Sequence, residues 1–151
     1  MRASFFTALF ATVFFVGSAA AAPLQSRQVG NLQCNLARLR IVGALASTTG
    51  TVEKISDATA DDDVTASAAD DALTGLDGAS SGIKTIALAL VSGQTAPADA
   101  RDQVEAGLTQ AKTALDSISS TDDAVTAQVT KAQKSLDKAI SAGQDVVAEC
   151  K

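Results

Sequence analysis

The sequence predicts an all-α protein, an up-down-up-down four-helix bundle closed by one disulfide between its termini. Three observations carry that prediction. Apolar or small residues recur alternately every three and four positions through most of the chain, the mark of a helical stripe. Capping and stop signals divide that pattern into four segments. The only two cysteines, Cys34 and Cys150, lie near opposite ends of the patterned region.

The beat is clearest from Ser120 onward, where Val125, Val129, Ala132, Leu136, Ala139, Gly143, Val146 and Cys150 form one stripe. The preceding segment repeats it with Val104, Leu108, Ala111, Leu115 and Ile118, and the first segment carries Leu36, Leu39, Val42, Ala46, Thr49, Val52 and Ile55. The second is more broken, with Leu73, Leu76, Ile83, Ala87 and Leu90. Asp61 to Asp63 and Thr121 to Asp123 put capping side chains and negative charge at helix starts, where free N–H groups and the positive dipole end favour them. "SGQTAP" after Val91 supplies a glycine stop and then Pro97, suited to a first helical turn. The expected helices are near 32 to 56, 62 to 92, 97 to 119 and 122 to 149.

The two halves resemble each other. "DDDVTA" from Asp61 returns as "DDAVTA" from Asp122, and "KTIALALVSGQ" from Lys84 parallels "KSLDKAISAGQ" from Lys134. Between those landmarks the first half carries additional residues that include Gly75, Gly78 and Gly82. The expectation is a duplicated helical hairpin whose second helix is longer and kinked or split. Two antiparallel hairpins bring the start of the first helix beside the end of the fourth, which places Cys34 against Cys150. Closing so long a loop contributes about 4 to 5 kcal/mol in the chain-entropy model. That matters here because a core of Ala and Val removes less apolar area from water per residue than one rich in Phe and Leu.

Every phenylalanine lies between Phe5 and Phe15, and the chain has no Trp, Tyr or His. Arg2, the apolar run Phe5 to Val16 and the small residues Gly17 to Ala22 read as a secretory signal peptide over 1–21. The run is too short to span a bilayer, which takes about 20 residues. Residues 22–31 form a short N-terminal segment and 32–151 the helical domain. Secretion agrees with reading the even cysteine pair as a disulfide.

The net charge is −5, and loss of Arg2 with the leader makes the remainder more acidic. Such a surface repels phosphate backbones, which argues against nucleic acid as a partner. No stretch gathers Lys and Arg on one helical face, as attraction to anionic lipid requires. Two thiols without histidine do not complete a zinc site, and the aspartate runs lack the D-x-D-x-D-G spacing of a calcium loop. "SLDK", Ser135 to Lys138, fits S-x-x-K, but the accompanying S-D-N and K-T-G elements of serine acyl-transfer enzymes are absent. Without histidine there is no default general base near neutral pH. The expectation is therefore a noncatalytic protein without catalytic or metal-binding residues and without a cofactor.

"GIKTIALALVSG" is the most apolar stretch beyond the leader, and Ile83, Ile86, Leu88, Leu90 and Val91 cover more of the helix than one core face needs. Such a helix is either deeply buried or presents an apolar surface to something else. These five residues are the candidate binding face.

With these features goes a resemblance. The leader, "QCNLARLRIVGALAST", the duplicated Ala-rich helices, "GQTAPADARDQVEAGL" and the terminal "VVAEC" resemble small secreted fungal proteins. More distantly, the chain is similar to the hydrophobic surface-binding protein and cell-wall galactomannoprotein family. That resemblance implies a noncatalytic extracellular helical bundle that adsorbs to hydrophobic surfaces or wall components, and in some members encloses a fatty acid. The chain differs in being short and in having no long Ser/Thr-rich tail. Two functions are expected on these grounds: interaction with hydrophobic surfaces, wall components or lipid through apolar helix faces, or carriage of a fatty acid or sterol in a cavity between the second and third helices.

Overall fold

The computed structural model describes residues 32–150, so the leader 1–21 and the segment 22–31 lie outside the described residues. Four helices account for nearly all of it: α1 (Leu32–Ala58), α2 (Asp63–Val91), α3 (Ala98–Ser117) and α4 (Asp123–Glu149). No strand occurs among the described residues. Short connections make successive helices antiparallel, and the bundle runs up-down-up-down as the sequence predicts.

The helix ends obey local chemistry. Asp62 caps α2, its Oδ1 accepting from the backbone N–H groups of Val64 (3.2 Å) and Thr65 (3.3 Å). Asp122 caps α4 in the same way through Ala124 (2.7 Å) and Val125 (3.3 Å). At the far end of α2, Gly93 takes φ 77°, and its N–H donates to the Leu90 carbonyl while that of Gln94 donates to Ala89. This double closure needs a left-handed residue just past the helix, which glycine adopts without a Cβ penalty. Pro97 precedes α3 as its N-cap and offers no side-chain bond.

The packing is uneven. α2 lies closely along α3 and α1 along α4, whereas the α1–α2 and α3–α4 contacts are much sparser. The molecule is two tight helix pairs laid together, with a core of Ile41, Leu45, Val52, Ile55, Leu76, Leu108, Leu115, Val125 and Leu136 and alanines between them. The tight pairs are not the α1–α2 and α3–α4 units that the internal repeat delineates. The repeated strings also differ in their surroundings. Val64 is 80% exposed while Val125 is 3% exposed, because Asp62 caps one string from its second position and Asp122 caps the other from its first. A slip of one residue rotates every downstream side chain by about 100°.

α2 is one continuous helix, not split, and Gly75 and Gly82 serve close contact with α3. A Cβ on Gly75 would lie 2.6 Å from the Gly107 carbonyl oxygen and 2.7 Å from the Ala111 nitrogen; one on Gly82 would lie 2.7 Å from the Ala100 oxygen. A Cβ on Gly107 would collide in turn with the Gly75 oxygen. The two backbones touch, as small residues spaced along facing helices allow.

Cys34 and Cys150 form the expected disulfide, with Cα atoms 5.1 Å apart across a sequence separation of 116. Cys34 is fully buried, and the bond ties the start of α1 to the cap of α4.

Among the described residues four threonines are buried and need partners in so apolar an interior. Thr48, Thr51 and Thr59 each donate at 2.8 Å to the carbonyl four residues back. Thr65 donates at 2.7 Å to Asp62 Oδ2. None leaves a hydroxyl unsatisfied, which would cost about 1–3 kcal/mol.

Candidate functional site

The five residues of the candidate binding face do not form one face. Ile83 and Ile86 are half-buried and packed against the core, and Leu90 is half-buried on the same side of α2. Leu88 and Val91 stand 70% and 88% exposed.

The larger apolar surface comes from α1. Leu32, Leu36, Leu39 and Val42 are all exposed, and Ala46 is exposed with them. Four of these five belong to the stripe that the sequence assigns to the core; the true core stripe of α1 is Cys34, Ala37, Ile41, Leu45, Thr48, Val52 and Ile55. The N-terminal part of α1 is apolar on both sides, so two heptad stripes compete and hydropathy does not choose between them. Cys34 holds the deciding signal. If its sulfur meets Cys150 on the inner stripe of α4, the α1 stripe in phase with Cys34 must face inward.

Helix geometry locates these residues relative to one another. Arg40, Gly43, Ala44 and Ser47 line a shallow groove with Ser135, Lys138, Ser141 and Asp145 of α4. Val42 is two residues beyond Arg40 and so about 200° around the helix, on the flank of α1 that faces α2. On α2, Gly82 marks the flank against α3. Lys84 lies about 200° and Val91 about 180° around from it, on the flank turned to α1. Val42 and Val91 thus lie on the facing flanks of the sparse α1–α2 seam, with Leu39 and Leu88 on the outward faces of the same two helices, at the end closed by the disulfide.

The α1–α2 side of that end is also poor in charge. From Leu32 to Val52 the only charged residues are Arg38 and Arg40, and from Gly78 to Ala98 the only one is Lys84. The opposite half of the same two helices holds Glu53, Asp57, Asp61, Asp62, Asp63, Asp70, Asp71 and Asp77 with Lys54 alone in opposition. Among these acids, the Asp62 carboxyl is held below the usual range, first by the hydroxyl of Thr65 and then by the N–H groups of Thr65 and Val64.

The other residues that the sequence singles out lie elsewhere in the bundle. Asp62 and Asp122 cap helices. Ser135 shares a 3.3 Å hydrogen bond with the Ser47 hydroxyl in the α1–α4 groove, which Lys138 also lines. A second open concavity, on the outer side of α3, is lined by Asp71, Asp102, Glu105, Thr109, Gln110 and Thr113. Among the described residues no group of His, Cys, Asp or Glu is arranged to hold a metal ion, and no helix is long and apolar enough to cross a membrane.

Fold and surface together define a disulfide-closed four-helix bundle with an apolar end on its α1–α2 side. No protein-family model, curated protein or solved structure matches the chain.

Proposed function

We propose that this is a secreted, noncatalytic interaction protein that adsorbs to hydrophobic surfaces or cell-wall components through the apolar helix faces at its disulfide end. One observation carries the reading. Among the described residues, every exposed large aliphatic side chain except Val64 belongs to that half of the bundle: Leu32, Leu36, Leu39, Val42, Leu88, Val91 and Val147. Scattered singly such residues are ordinary, but gathered in one region they mark an interaction surface. The disulfide supports the same reading, since it holds the ends of α1 and α4 that present Leu32, Leu36 and Val147. The close α2–α3 seam favours surface binding over the alternative, carriage of a fatty acid or sterol between α2 and α3, because the two backbones already touch at Gly75 and Gly107.

Adsorption of the oxidised protein to alkyl-coated beads tests the proposal. Replacing Leu88 and Val91 with Asp lowers adsorption at least about tenfold, the consequence of losing two apolar contacts at roughly 1.5–3 kcal/mol for each fully buried side chain. Circular dichroism of the variant remains that of the parent. Unchanged adsorption, or a stoichiometric lipid found by native mass spectrometry together with no adsorption, would contradict it.

A further inference from the structure

We infer that the surface this end engages is an anionic lipid interface, entered with the disulfide end down and the acidic half of α1 and α2 pointing away. The inference rests on the reading of that end as an interaction surface and adds the chemistry of its target. It is carried by the charge that accompanies the apolar residues. Arg38, Arg40 and Lys84 are far apart in sequence, and no single stretch gathers them. The antiparallel packing of α1 and α2 nevertheless brings all three to the half of the bundle that exposes Leu32, Leu39, Val42, Leu88 and Val91. Lys84 is exposed, Arg38 half-buried and Arg40 exposed at the α1–α4 groove that Lys138 and Asp145 also line, and none forms an ion pair with a described residue; the ion pairs among the described residues join Lys112 to Asp116 and Asp137, toward the opposite end.

Leucines flanked by unpaired cations suit a headgroup layer. The apolar side chains enter the acyl boundary while long basic side chains reach up to phosphate and carboxylate. Each Lys or Arg near an anionic leaflet adds about 1 kcal/mol, a roughly fivefold gain in affinity. The chain's net negative charge does not cancel that attraction, because distance separates the two halves. α2 is about 43 Å long, and charges further than about 8 Å from the membrane are largely screened at physiological ionic strength. The α3–α4 side of the same end is mixed, with Asp99, Asp102, Asp145 and Glu149 beside Arg101 and Lys138. The bundle therefore tilts α1, with Arg38 and Arg40 on its two flanks, and the adjoining flank of α2 with Lys84 toward the lipid.

The test compares the oxidised protein on three supports: vesicles of phosphatidylcholine, vesicles of phosphatidylcholine mixed with phosphatidylserine, and alkyl-coated beads. The inference expects about ten- to a hundredfold tighter binding to the serine-lipid vesicles, the range for three cations near the leaflet, with the preference shrinking as salt rises. Arg40→Gln with Lys84→Gln removes most of that preference and leaves bead adsorption intact. Adding Arg38→Gln removes the rest. Equal binding to both vesicle types, with bead adsorption intact, overturns the anionic-lipid inference and leaves the surface reading standing. Binding to none of the supports, with sedimentation showing a dimer that Leu39→Asp dissociates, overturns both and makes a second copy of the chain the occupant.

Discussion

The two tight seams of this bundle are built by opposite means. Along α2–α3 the helices meet backbone to backbone, and Gly75, Gly82 and Gly107 have no room for a methyl group. Along α1–α4 the helices keep their side chains between them, with Ile41 Cδ1 3.5 Å from where a Cβ on Gly143 would sit, and a covalent bond closes the end. Gly43 and Gly50 on α1 face open space. The difference teaches that glycine in an Ala-rich helix carries no single meaning: the same residue is a contact surface in one helix and an unfilled position in another.

The largest effect that would sharpen this contrast is loss of the disulfide. Replacing Cys34 and Cys150 together with Ser costs about 4 kcal/mol, as expected for opening a loop of this length, measured by denaturant unfolding. Hydrogen exchange should rise first in the N-terminal turns of α1 and the last turns of α4 and leave the middle of α2 and α3 protected. Uniform loss of protection would mean that the two seams are not separate units.

Next comes Gly107→Ala. Its methyl group meets the α2 backbone, which cannot move aside as a side chain can, and overpacking of this kind costs about 1–3 kcal/mol. A neutral result would show that α2 and α3 are not in backbone contact.

The same chemical change at Gly43 or Gly50 has the opposite sign. With space available and glycine poor in helix interiors, Ala stabilises by about 0.5–1 kcal/mol at each. Destabilisation at either position would place a neighbour over the outer stripe of α1.

The smallest effect is a pH dependence at the loop end. Folding holds the Asp62 carboxyl below its usual range, so its contribution is present above the unfolded value near 4 and is lost as pH falls through the folded value. Asp62→Asn keeps a capping oxygen but removes that acid-limb dependence. An unchanged acid limb in the variant would assign the dependence to other carboxylates.

These contrasts mark how far the sequence was legible. The stripes of α3 and α4 were readable because only one side of each helix is apolar: Val104, Leu108, Ala111 and Leu115 are buried, as are Val125, Val129, Ala132, Leu136 and Ala139. Caps and the cysteine pair were equally plain, since each depends on local chemistry or on a unique pairing. The phase of α1 was not legible from hydropathy, because Leu32, Leu36 and Leu39 make as good a stripe as Cys34, Ala37 and Ile41, and only the pairing of Cys34 with Cys150 singles out the inner one. Gly75 and Gly82 suggest a bend in sequence because local reading does not register that another helix approaches them. The candidate surface was half legible for the same reason. Leu88 and Val91 stood out within the apolar run from Gly82 to Gly93, whereas the exposed residues of α1 were concealed within a stripe that looked like core.

Val64 offers the most direct test of the central claim, that the apolar residues of the disulfide end form the interaction surface. It is as exposed as Leu32, at 80% against 81%, but lies at the opposite, acidic end. Adsorption isotherms on alkyl-coated beads, recorded side by side for the oxidised parent, Leu39→Asp and Val64→Asp, separate position from hydrophobicity. The account predicts a clear loss for Leu39→Asp and parental binding for Val64→Asp. Equal losses at both ends would show that adsorption tracks general hydrophobicity and would contradict it.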